Sequence, residues 1–306
     1  MFAVLETSRR SFLGISAAAL AGAADLSRSV ALPAPRITFG INHNYFPQFT
    51  RDIRGACGVR IYIAEYNRIP AQWPDRLPSA RSLLGGPVIP PGTHTVLSIR
   101  PMPADLFSGR LDQQIRSLAL SAPPGSALNA WHENEPGNPI GYPPAVNNAG
   151  AASRMHEYLH NLCRNTNARY GSIICAPANQ LTGWMGRRLD WYGLDTFAVS
   201  RYITPAHTVD AAKWQARMHG NWLAWQQVSG KNWPRIKICE TNAPRDSNRS
   251  TWFTMVADWL ASHNGDTMLT YWNPAGGLSG PWPPSAGVRD TLRHLTRTYY
   301  LERQPF

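Results

Sequence analysis

Acidic residues are scarce in this chain, 19 Asp and Glu against 30 Lys and Arg, yet two glutamates stand two positions apart at the end of an apolar run. The stretch is ALNAWHENEPG, residues 127–137, in which Glu133 and Glu135 are followed by Pro and Gly. A second run, RIKICETN at 235–242, also closes on a carboxylate, Glu240. Two carboxylates brought to one cleft can share a reaction: one protonates a leaving oxygen while the other attacks carbon or directs a water. At a separation of about 5–5.5 Å the second carboxylate attacks directly, and configuration at the carbon is retained. The acid must stay protonated near neutral pH, which a nearby anionic carboxylate and an apolar wall both favour. Trp131 and Trp272 are placed to form such a wall, and indole faces stack on sugar rings.

The elements that must position these groups are legible as eight short, β-branched apolar runs: 36–42, 59–64, 94–101, 127–133, 170–177, 194–202, 235–242 and 267–274. Several are continuously apolar, as strands covered on both faces are. Segments with helical spacing lie between them, at 110–122, 147–167, 209–228, 250–263 and 286–302, with weaker expectations at 46–54 and 73–84 and a short one at 180–186. Strand–helix alternation over this length predicts an α/β fold, a single (β/α)8 barrel. A doubly wound sheet is the alternative, but no Gly-rich phosphate loop follows the first strand. Active sites of (β/α)8 barrels lie at the C-terminal ends of the strands. The polar residues closing each run are therefore the candidates: Asn42, His43 and Asn44 after strand 1, Arg100 after strand 3, His132 to Glu135 after strand 4, Glu240 to Asn242 in strand 7, and Trp272 and Asn273 after strand 8. Strands 4 and 7 face each other across such a barrel.

These residues carry a family resemblance. WHE closing strand 4, ICET closing strand 7, LDWYGLDTF at 189–197 and LTYWNP at 269–274 resemble glycoside hydrolase family 26, in the large clan A of barrel glycosidases. The likeness is nearest to exported family-26-like barrel proteins of actinobacteria. It implies a retaining hydrolase of a β-linked polysaccharide of mannan or glucan type, with Glu133 as acid/base and Glu240 as nucleophile, and no metal or organic cofactor. In another register, Asn134-Glu135-Pro136 resembles the strand-4 motif of family 5 cellulases, where the Glu after Asn is the acid/base; the choice between Glu133 and Glu135 stays open. His132, Asn134, Trp272, Tyr202, Arg100 and Asn44 are the expected substrate contacts. Phe197 stands where the family-26 pattern has a Tyr that bonds the nucleophile, and Tyr202 is the expected replacement.

Two other readings come from different classes. One is a barrel that binds glycans without turning them over. The other is a zinc peptidase, because His156-Glu157-His160 spells HExxH, which on a helix puts two imidazoles on one face; against it, no Glu or His occurs at 161–190 as a nearby third ligand. The net charge of +11 comes from scattered Arg rather than a basic run, and no nucleic-acid-binding motif accompanies it. At the N-terminus, SRRSFLGISAAALAGAA has the paired Arg9 and Arg10 and the small-residue apolar stretch of a twin-arginine export signal. Residues 1–31 are expected to be that signal and 32–306 the barrel, secreted in folded form as a monomer, with no membrane insertion after signal removal. Among the four cysteines, Cys175 and Cys239 sit in apolar strand-like runs, and no CxxC pair suggests a metal site.

Overall fold

The computed structural model describes residues 36–53, 57–79, 85–130, 148–175, 178–180, 182–198, 202–243, 245–263, 266–271 and 284–301. Eight parallel strands close into one barrel: β1 Arg36–Asn42, β2 Cys57–Tyr62, β3 His94–Ile99, β4 Ala127–Ala130, β5 Arg169–Ile174, β6 Trp191–Phe197, β7 Ile236–Asn242 and β8 Asp266–Tyr271. β8 pairs with β1, so no strand edge is left open. Seven α-helices occur among the described residues: α1 Phe46–Ile53, α2 Pro103–Phe107, α3 Asp112–Leu120, α4 Ala149–Cys163, α5 Ala211–Ser229, α6 Asp246–His263 and α7 Ala286–Thr296. The chain is a (β/α)8 barrel, as the alternation predicts.

The helix starts are set by side chains. Asn148 accepts a hydrogen bond from Ala151 N–H and opens α4, and Asp210 accepts from Lys213 N–H and opens α5, each satisfying an otherwise unpaired amide. α5 ends on Gly230 at φ +67°, the left-handed position that glycine takes without strain.

Two apolar layers result from the two faces of the strands. Outward residues such as Val59, Ile61, Leu97, Leu194 and Ile238 pack under the helices. A smaller cluster of Val96, Ala127, Ile173, Trp191, Cys239 and Met268 fills the barrel interior. Trp191 fits there because Gly171 and Gly193 face it; a Cβ on Gly171 would overlap the indole. Five helical tryptophans, Trp214, Trp222, Trp225, Trp252 and Trp259, are buried, and several meet edge to face, as Trp214 and Trp252 do at 5.6 Å between ring centroids.

Two elements differ from expectation. The helix expected at 73–84 is not formed over residues 73–79. Pro74 and Pro78 remove backbone donors there, and the segment instead makes a strand-like excursion, with Arg76 bridged antiparallel to Val88 and Leu77 N–H donating to Pro87 O at 2.9 Å. Strand 6, expected at 194–202, runs over Trp191–Phe197 instead, because Trp191 is the interior plug rather than part of a lead-in. No helix among the described residues is long and apolar enough to cross a membrane.

Candidate active site

Glu240 lies near the C-terminal end of β7 and is buried. Strict alternation would not turn it inward. Lys237 and Cys239 face the interior, so the next residue should face the helices. The pairing of β6 with β7 slips between Leu194 and Asp195: Leu194 pairs with Ile238, and Asp195 with Glu240. The extra residue, Cys239, makes a β-bulge, a device that re-aims side chains beside active sites. Cys239 and Glu240 therefore both point into the barrel. Thr241 returns to the helix side, where its hydroxyl accepts from Trp252 Nε1 at 2.7 Å.

Arg60, central in β2 and 1% exposed, meets Glu240 there. Its Nη1 donates to Glu240 Oε1 at 2.8 Å and to Asp195 Oδ1 at 3.1 Å. The Tyr62 hydroxyl also donates to Glu240 Oε1, and the Arg60 guanidinium lies 4.6 Å from the Tyr62 ring centroid. The polar belt continues round the barrel. Arg60 Nε donates to Ser98 Oγ at 3.4 Å, Ser98 donates to Asn129 Oδ1 at 2.7 Å, and the half-buried Cys175 thiol donates to Asp195 Oδ2 at 3.4 Å.

Burial alone would push protons off Arg60, but Tyr62, Asp195 and Glu240 outweigh it and hold the guanidinium well above its ordinary value. The same burial drives the Tyr62 phenol well above its usual range, helped by the Glu240 and Asp195 charges and opposed by Arg60. Tyr62 is thus a fixed donor. Arg60 is thus one cation shared by two carboxylates.

The structure places the other sequence candidates as follows. His132, Glu133, Asn134, Glu135 and Trp272 lie outside the described residues. β4 is described to Ala130, whose N–H donates to the Tyr170 hydroxyl at 3.1 Å, and that hydroxyl also meets His156 Nδ1 at 2.9 Å. Arg100 follows β3, with its guanidinium 4.2 Å from the Tyr66 ring centroid and its Nη1 3.4 Å from Ala64 O. Asn44 is exposed in the 3-10 turn His43–Tyr45. Tyr202 is buried, and its hydroxyl accepts from Arg217 Nη1 at 2.6 Å. Among the described residues Glu240 accepts a hydrogen bond from Tyr62, of β2.

Sequence reasoning did not single out Arg60, Tyr62 or Asp195. A signal was present: Arg60 and Tyr62 alternate with Val59, Ile61 and Ile63 in a run otherwise fit for a buried strand. In the HExxH stretch each of the three side chains contacts another residue of the barrel domain. His156 bonds Tyr170, Glu157 accepts from Arg187 N–H at 3.1 Å, and His160 lies 3.6 Å from Asp190. No group of three or more His, Cys, Asp or Glu suited to a metal occurs among the described residues.

No protein-family profile matches the chain, and no curated protein matches it in sequence. Solved structures share its fold. A double mutant of the endo-β-1,4-mannanase of Cellulomonas fimi has a TM-score of 0.52 at 14% identity, over 87% of this chain and 72% of that one. Cel5A of Thermotoga maritima, solved with mannotriose, gives 0.51 at 11%, over 84% and 97%. The cellulose synthase subunit CcsZ of Clostridioides difficile gives 0.51 at 10%, over 84% and 99%. At these identities the likeness is one of fold.

Proposed function

We propose that the chain is a retaining glycoside hydrolase of the family-26-like kind acting on a β-linked polysaccharide, a mannan or a glucan, with Glu240 as nucleophile. The observation that carries this reading is the Glu240 carboxylate, turned into the barrel by a β-bulge and held by Arg60 and Tyr62. The comparisons add support, since barrels of this shape include mannan- and cellulose-related proteins.

In the first step the Glu240 carboxylate forms a bond to the anomeric carbon as the glycosidic C–O bond breaks. The leaving oxygen takes the proton of Glu133 or Glu135. In the second step that glutamate takes a proton from water, the water oxygen bonds the same carbon, and Glu240 leaves as carboxylate. Two inversions give net retention. Arg60 places a positive charge beside the attacking group, and Tyr62 fixes its orientation. His132, Asn134 and Trp272 are the proposed sugar contacts. The route is folded export by the Arg9-Arg10 signal, and the working form a secreted monomer.

The test is reducing-sugar release from a panel of neutral, acidic and sulfated polysaccharides, with wild type beside Glu240→Gln, Glu133→Gln and Glu135→Gln. Cleavage of one polymer by wild type, lost in Glu240→Gln, is the expected result. The strand-4 variant whose activity is rescued by a substrate with a good leaving group identifies the acid. No cleavage anywhere in the panel, with retained binding on a glycan array, would overturn hydrolysis in favour of a binding barrel.

A further inference from the structure

Opposite the mouth that holds Glu240, the N-terminal end of the barrel opens into a cavity of about 510 Å³. Basic side chains that are far apart in sequence converge there: His94 at the start of β3, Arg169 at the start of β5, Arg235 just before β7 and Lys237 inside it. The scattered Arg and Lys of the sequence are thus gathered by barrel topology, since each lies at the same end of a parallel strand.

The arrangement is specific. Lys237 is 9% exposed, and its Nζ lies 3.0 Å from His94 Nε2 and 5.7 Å from the Trp191 ring centroid. Trp191 is fixed in turn, its Nε1 donating to Arg169 O at 2.9 Å. The lining also includes one carboxylate, Asp190. Asp190 is already engaged: its Oδ2 accepts from Tyr170 N–H at 2.9 Å and its Oδ1 lies 3.6 Å from His160 Nε2. No hydrogen bond or ion pair engages the Arg169 or Arg235 guanidinium among the described residues. Two guanidiniums, a lysine and an imidazole share one concavity with that carboxylate, and Thr93, Ser126 and Thr267 lie on its wall. The basic groups outnumber the carboxylate, on which Arg169 acts electrostatically, and walls lined by an excess of one sign raise the local concentration of counter-ions.

We propose that this cavity binds a phosphoryl group, either inorganic phosphate or the phosphate end of a sugar phosphate. The forked guanidiniums suit bidentate capture of phosphate oxygens, with Lys237 as a point charge behind them. The volume falls in the range of small-molecule sites, roughly 300–1,000 Å³, and leaves room for a hexose beside the phosphate. The proposal is independent of glycoside hydrolysis at the opposite face.

The experiment is calorimetric titration of the full chain at constant ionic strength with inorganic phosphate, sulfate, glucose 6-phosphate and glucose. Saturable one-to-one binding of phosphate is expected, and none of glucose. Arg169→Gln and Arg235→Gln should each weaken it about tenfold, the loss of one charge-assisted contact. Both positions are exposed, so the variants should keep the wild-type circular dichroism and melting curve. Tighter binding of glucose 6-phosphate than of phosphate would assign the sugar phosphate, and equal binding inorganic phosphate. Absence of saturable binding by either phosphate, or unchanged binding in both variants, would overturn the proposal.

Discussion

Arg60 is the residue on which the candidate site turns. Its single cation lies between Asp195 and Glu240, and all three groups are buried. Replacing it removes the cation that both carboxylates share, so Arg60→Met should destabilise the fold by about 3–5 kcal/mol, read from urea melts at pH 7. Tyr62→Phe is milder. It removes one hydrogen bond to Glu240 and keeps the ring, so kcat should fall about tenfold to a hundredfold with KM little changed. An unchanged kcat would remove Tyr62 from the site. Legibility at this scale was uneven. Glu240 announced itself as a carboxylate closing an apolar run. Arg60 and Tyr62 sat in plain alternation but read as part of a core strand, because nothing local tells an inward face lined by charge from one lined by side chains that pack.

Elements decide which way these residues point. The β7 run was legible, but its bulge was not: alternation along Lys237, Ile238 and Cys239 sends Glu240 toward the helices, and the correction depends on a slip against β6 that involves residues far away in sequence. The failed helix at 73–79 is the opposite case, since its prolines were visible and outweigh the apolar spacing. Trp191 was misplaced because its role depends on Gly171, a residue on the neighbouring strand. That contact predicts that Gly171→Ala costs at least about 2 kcal/mol in denaturant unfolding, an overpacking penalty. Asp190 joins β6 to the helix layer. Burial raises its pKa, but the His160 and Tyr170 hydrogen bonds more than offset this, and the net shift is downward. A depressed carboxylate pKa contributes stability above the unfolded value of about 3.9, and loses it as pH falls through the lower folded value. Asp190→Asn should therefore lose less stability than wild type between pH 5 and pH 2, measured by urea melts.

For the whole molecule, thiol chemistry reports how tightly the barrel is closed. Cys163 and Cys239 are buried, and burial pushes both thiols up to about 12. At pH 8 about one in ten thousand of either is thiolate, so neither should react with a disulfide reagent until the protein unfolds. Of these three, half-buried Cys175 should react first. Rapid labelling of Cys239 in the native protein would mean that the barrel interior opens. The overall alternation made the barrel itself legible before any side chain was placed, while the clustering of His94, Arg169, Arg235 and Lys237 at one end was invisible. Charges separated in sequence meet only when parallel strands start at a common level.

The pairing of β1 with β8 joins the first and last strands of the barrel. The sheet cannot close until Asp266–Tyr271 has left the ribosome, and bare edges recruit other strands. Completion is therefore a single late event rather than a gradual one. On the proposal that the chain is exported folded, the arrival of β8 marks when the barrel becomes fit to travel, and a chain cut short before residue 266 should aggregate rather than leave the cell in a weakened form.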